Sequence, residues 1–236
     1  DGDKKYENVP SYIPGDTIKK VNGKTMTLIE FFVHSPFKDS LVEGRAESDK
    51  NVTSIVMQVR FKKSSSDTKP SALYLFGGDA DHYIWEEIQN QSSAHNNGGK
   101  LDFDIFLAPH HCSWTYFNDV PYKKGETDEP VESSKKLIKD HKVSGAVIIA
   151  SSKQINDDDD NPPHYPAKKE YVKLIGSSDK FISLAEEPDS KNSKPVVYEV
   201  TSSGFLRKDK NQQTGSAGAA IGSSGTSGRK STYGSK

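Results

Sequence analysis

Cysteine is almost missing from this chain: Cys112 is the only one in 236 residues. A single thiol excludes an internal disulfide and a zinc site built from cysteines, and it suits a reducing, cytoplasmic setting. Long apolar runs are missing too. Nothing approaches the roughly 18 consecutive apolar residues of a membrane span, and no secretory leader is visible. Charge of one sign is absent overall, because 32 Lys and Arg stand against 33 Asp and Glu for a net charge of −1. That balance gives no global attraction to nucleic acid or to an anionic membrane. Hydrophobic residues make up only 32%, which is low for a globular protein. The deficit is local. Residues 206–236 hold little beyond Gly, Ser, Ala, Thr and basic side chains, with Arg207, Lys208, Lys210, Arg229, Lys230 and Lys236 against Asp209 alone. They read as a flexible, mildly basic tail. Residues 1–24 read as a polar N-terminal segment with short extended pieces, which leaves 25–205 as the domain.

Within 25–205 apolar pattern is plentiful. The β-branched and aromatic stretch 25–34 predicts a buried strand. Ile55, Met57, Val59 and Phe61 recur at period two, predicting a half-buried strand over 52–62. A short strand, 72–76, runs into Gly77-Gly78-Asp79-Ala80-Asp81. Ile84, Trp85 and Ile88 give the next segment a helical stripe, with an Asn/Ser/Gly loop at 90–100. Strand 101–108 ends at Pro109-His110-His111. A helix over 131–141, a strand at 144–150, a helix over 166–175 opened by Pro166, and strands near 181–185 and 195–201 complete the series. Strands and helices alternate from about residue 70 to 185, which predicts an α/β domain with helices packed on a sheet.

Three clusters carry chemistry. Asp79-Ala80-Asp81-His82 follows a strand and two glycines. Its carboxylates suit a divalent metal, although a helix start capped by Asp accounts for them equally well. His110-His111 stands at a second strand end with Ser113 just beyond, and one imidazole there can bind metal while the other meets substrate. Pro162-Pro163-His164 stands at a loop–helix junction after a third strand. Each cluster is weak alone. Together they fall at the ends of separate strands, where α/β folds place their sites, and Asp with His is a ligand set for Zn²⁺ or Mn²⁺. The run Asp157–Asp160 reads as a solvated loop instead.

In order and spacing these pieces resemble the later motifs of the metallo-β-lactamase fold, in the form found in competence (DNA-internalisation) proteins. His34-Ser35-Pro36 ends a strand. Asn51 through Val59 resembles the family's Asn-x-x-Ser-hydrophobic strand, and Leu73 through Ala80 its strand ending in Thr-Gly-Asp-Ala. Trp85-Glu86-Glu87-Ile88 resembles the helix after it. Asp102 through Ser113 resembles the strand ending in Pro-His-His-Gly-Ser, and His164-Tyr165-Pro166 the Gly-His-Pro segment. The match spans roughly 25–203. It implies an αββα sandwich, mainly its second half, and a metal-dependent hydrolase with two divalent ions, Zn or Mn. It implies Asp79, His110 and His164 as metal ligands, with Asp79 bridging, and Asp79, His110 and His111 as the catalytic group. Which histidine plays which role stays open. A phosphodiester, DNA in particular, is the implied substrate.

The family's early His-x-His-x-Asp-His motif is absent. The seven histidines are His34, His82, His95, His110, His111, His141 and His164, and Cys112 stands where the family has glycine. The expectation taken is that an upstream segment or a partner chain supplies the missing ligands, since the chain begins at Asp1 rather than Met. The alternative is a degenerate, non-catalytic module that binds a protein or nucleic acid.

Overall fold

In a computed structural model, the structure describes residues 10–38, 50–119, 129–158 and 162–208. The strands are β1 (Thr17–Ile18), β2 (Lys20–Val21), β3 (Lys24–Thr25), β4 (Ile29–Ser35), β5 (Val56–Phe61), β6 (Ala72–Phe76), β7 (Phe103–Leu107), β8 (Lys142–Ala150), β9 (Phe181–Ser183), β10 (Tyr198–Thr201) and β11 (Gly204–Arg207). The helices are α1 (His82–Ala94), α2 (Glu132–His141) and α3 (Tyr165–Ile175). One seven-stranded mixed sheet runs β1-β4-β5-β6-β7-β8-β9, and β2–β3 and β10–β11 form separate hairpins. Pairing is antiparallel from β1 to β6 and parallel from β6 to β9. Each parallel step carries one helix, because a parallel neighbour needs a crossover long enough to return the chain to the same end.

All three helices bury their stripes on one face of the sheet. Ile84, Trp85 and Ile88 of α1, Leu137 and Ile138 of α2, and Tyr171, Leu174 and Ile175 of α3 pack with Leu75, Phe103, Phe106 and Ile148 from the strands. An aromatic stack runs through this layer, with Tyr116 and Tyr171 stacked at 5.4 Å and Phe117 against Tyr171 at 4.7 Å. On the opposite face Ile105, Ile149 and Ile182 pack with Tyr74, Leu107 and Val147 under Tyr198 and Phe205 of the β10–β11 hairpin.

The architecture is therefore mixed α/β, as the alternation predicted. A complete αββα sandwich needs a second large sheet on the open face. Among the described residues that face carries the hairpin. No helix among the described residues is long and apolar enough to cross a membrane.

Several local expectations need correction. The strand predicted over 52–62 begins only at Val56, since Lys50–Thr53 is a 3-10 turn, and Ile55 is exposed rather than buried. Gln58 takes an interior place because its side-chain amide donates to the carbonyls of Gly99 and Asp102, which satisfies a donor that burial would otherwise strand. The loop predicted at 90–100 is helical through Ala94, and a 3-10 turn at Gly98–Lys100 follows. Strand 25–34 breaks into β3 and β4. Thr17–Ile18, from the polar N-terminal segment, pairs with Phe31 and Phe32 as the edge of the main sheet. β11 reaches Arg207, so the boundary drawn at 205 and 206 cuts a strand. Most of the basic tail, and Asp159 and Asp160 of the acidic run, lie outside the described residues.

Candidate functional site

Because β6, β7 and β8 are parallel, their C-terminal ends share one edge. Gly77-Gly78-Asp79 leaves β6, Pro109 through Cys112 leaves β7, and Ser151 leaves β8. His164 precedes the first turn of α3. Backbone bonds tie these pieces together. The His110 amide donates to Gly78 O at 2.9 Å, and the His164 amide donates to Cys112 O at 3.0 Å. The chain segments bearing Asp79, the twin imidazoles and His164 are thus neighbours.

The turn after β7 is unusual. His110, His111 and Cys112 have φ of 48°, 57° and 70°, three left-handed residues in a row. Side chains other than glycine pay roughly 1 kcal/mol or more each for that conformation. Bonds on both sides hold it. Cys112 and Ser113 amides donate to Pro109 O at 3.1 and 3.3 Å, and the Trp114 amide donates to Nδ1 of His164 at 2.8 Å. At φ 70° Cys112 takes a conformation that favours glycine. Cys112 is fully buried, and burial pushes its thiol up, so it is a packing residue and not a nucleophile. Both glycines before Asp79 are required by space. A Cβ on Gly77 would lie 2.7 Å from Pro109 Cγ, and one on Gly78, at φ +53°, would lie 2.9 Å from Ile55 O.

Asp79 is half-buried and stands two residues before the helix cap; Asp81 is the N-cap of α1, accepting from Ile84 N at 3.1 Å. The capping explanation therefore applies to Asp81 and leaves Asp79 unassigned. His111 is exposed, and its Nδ1 lies 2.7 Å from Ser151 O. Nδ1 of His110 lies 3.4 Å from Thr115 Oγ1, which donates to Ser113 Oγ at 3.1 Å. Ser113 Oγ in turn is 3.5 Å from His164 Nδ1. His164 is buried, and burial first, then the nearby His110, holds its imidazole below the ordinary range.

No family model matches the chain, and no curated protein or solved structure does either.

The other histidines stand elsewhere. His34 is buried, donates from Nε2 to Lys100 O at 2.8 Å, and is held neutral down to about pH 4 chiefly by burial. His141 pairs with Asp102 at 2.9 Å, next to the start of β7. His95 bonds back to Gln91 O in the last turn of α1. His82, in the first turn of α1, is buried with its ring 3.9 Å from Tyr83 and 3.8 Å from Asp119. A groove of about 1270 Å³ beside α1 and β4, lined by Phe32, His34, Phe37, Tyr83 and Ile88 among others, includes none of Asp79, His110, His111 or His164.

The donor chemistry at the strand ends suits a divalent cation in part. Asp79 offers a carboxylate, and the adjacent imidazoles offer ring nitrogens. Among the described residues, however, no group of three or more His, Cys, Asp or Glu side chains is placed to hold a metal ion. A catalytic zinc takes at least three protein ligands, so these residues make a partial set. Sequence reasoning missed Thr115, Trp114 and Ser151, which orient the imidazoles. Two of the three act through backbone atoms, which leave no residue-type signal.

Proposed function

We propose that the chain is a metal-dependent hydrolase domain of the metallo-β-lactamase kind, cleaving phosphodiesters such as DNA. The observation that carries this reading is the shared strand-end edge, in which a glycine-flanked carboxylate and a left-handed double-histidine turn are joined by the His110–Gly78 hydrogen bond. Strain held at a polar turn by bonds from three segments is what a site needing fixed side chains requires. Asp79 and the His110–His111 pair would hold part of a set for Zn²⁺ or Mn²⁺, completed by a partner chain or further domain. Bound there, such ions would supply a water acidic enough to act near neutral pH. The protein's own part is to hold the segment bearing the carboxylate against the double-histidine turn and to orient two imidazoles able to pass a proton to a leaving oxygen.

A second reading, a non-catalytic module that binds a protein or nucleic-acid partner, is favoured by the incomplete ligand set. The two separate in one experiment. The intact protein is incubated with Mn²⁺ or Zn²⁺ and either DNA or a bis-aryl phosphodiester, beside Asp79→Ala. The hydrolase reading expects cation-dependent cleavage, reduced roughly 100-fold or more in Asp79→Ala. DNA retention without cleavage in any cation favours the module. Cleavage unchanged in Asp79→Ala removes the edge from the chemistry.

A further inference from the structure

We propose that the groove beside α1 and β4 binds an uncharged organic molecule with an apolar ring body and one hydroxyl or N–H, which it donates to Nδ1 of His34. None of Asp79, His110, His111 or His164 lines this groove, so the site stands apart from the hydrolase reading.

The groove lies where α1 leaves the sheet uncovered. Pairing register sets Phe32 beside Gln58, and Gln58 beside Leu75, on the face that carries the helices. His34 packs edge-on against Phe32 at 4.9 Å. Phe32, His34, Ile84 and Ile88 are buried, yet all four line the groove. Its volume of about 1270 Å³ is ample for a small molecule, since such clefts measure roughly 300–1,000 Å³. Tyr12, Ile13 and Tyr83 are exposed apolar side chains, and all three stand on its rim. Apolar walls with a few convergent polar groups are the composition of ligand clefts.

Two buried polar side chains supply those groups. His34 is 4% exposed and Ser92 5%, and both line the groove. Nε2 of His34 lies 2.8 Å from Lys100 O. A carbonyl only accepts, so Nε2 carries the proton of the neutral ring and Nδ1 keeps the lone pair. Burial holds the ring neutral down to about pH 4, so Nδ1 is an acceptor at neutral pH. Among the described residues no hydrogen bond reaches Nδ1, and none reaches Ser92 Oγ. Buried polar atoms are ordinarily partnered, and the side left open here is the groove. A ligand O–H or N–H is the donor that Nδ1 lacks, and Ser92 Oγ can give or take a second bond.

Charge narrows the class further. The buried lining carries none: Lys38 and Glu86 are exposed, and Glu87 is half-buried. A carboxylate or phosphate brings no proton for Nδ1 and would lose its hydration against a neutral ring. An ammonium would reach the same depth without a carboxylate to meet it.

The test uses the intact protein at neutral pH with two probes of one shape, 2-naphthol and 2-methoxynaphthalene. Only the first has a proton to donate. Probe fluorescence gives the affinities, and nitrogen-15 NMR reads the His34 ring. The expected result is that 2-naphthol binds about tenfold or more tightly than the ether and shifts the His34 Nδ1 resonance. His34→Gln keeps the donor to Lys100 O and removes the Nδ1 acceptor, so it should bind the two probes equally. Ile13→Asp, at an exposed rim position that leaves the core intact, should weaken both probes by about fivefold or more. Equal affinities in the intact protein, a preference that survives His34→Gln, or 2-naphthol binding unchanged in Ile13→Asp overturns the proposal. So does an intact protein that binds neither probe.

Discussion

Tyr171 is fully enclosed among Phe106, Tyr116, Phe117 and Phe181, and its hydroxyl has no hydrogen-bond partner among the described residues. A hydroxyl taken from water without a partner costs more than its packing returns. Tyr171→Phe is therefore expected to raise unfolding stability by about 1 kcal/mol in urea denaturation; a loss of stability would show that the hydroxyl is partnered in solution. His34 sets an acid limit. Burial lowers its pKa from 6.5 to about 4, so the folded state holds it neutral while the unfolded chain takes up a proton. Its contribution is complete above about pH 6.5 and falls by about 1.4 kcal/mol per pH unit down to about pH 4, about 3 kcal/mol in all. His34→Gln, which keeps a donor for Lys100 O, should flatten stability against pH across that window. Residues such as Leu137, Ile138 and Trp85 were legible as core from spacing alone. The polarity of each imidazole was not, because it is set by Ser151 O and the Trp114 amide, atoms every residue possesses.

Elements with a strong period were the most legible. β6 was predicted with its observed bounds, and α2 and α3 each begin within one residue of prediction. β5 was not, because Val56, Gln58 and Val59 are all buried; a strand covered on both faces loses its alternation. The β10–β11 hairpin was read only in its first strand, since β11 contains Gly204 and exposed Leu206 and looks like tail. Gly204 is what seats it. At φ +119°, a Cβ there would lie 2.8 Å from Asp104 Oδ1, and Asp104 is already fixed by accepting from Leu73 N at 2.8 Å. Gly204→Ala should destabilise by about 1–3 kcal/mol and speed hydrogen exchange across residues 198–207 before the rest of the chain. Exchange unchanged in that hairpin would mean that it is not seated through Gly204.

At the scale of the whole molecule, the described residues set three helices on one side of the sheet and a hairpin on the other, and its parallel strands deliver three chemically distinct turns to one edge. That convergence was legible in the sequence, because each cluster followed an apolar run and parallel α/β topology collects such ends. The most direct test of the edge is anomalous diffraction from crystals of the intact protein soaked with Zn²⁺ or Mn²⁺. The expected result is a peak within about 2.0–2.2 Å of the Asp79 carboxylate and a ring nitrogen of the double-histidine turn. Peaks confined to other places, with Asp79 and the double-histidine turn left unligated, would contradict it.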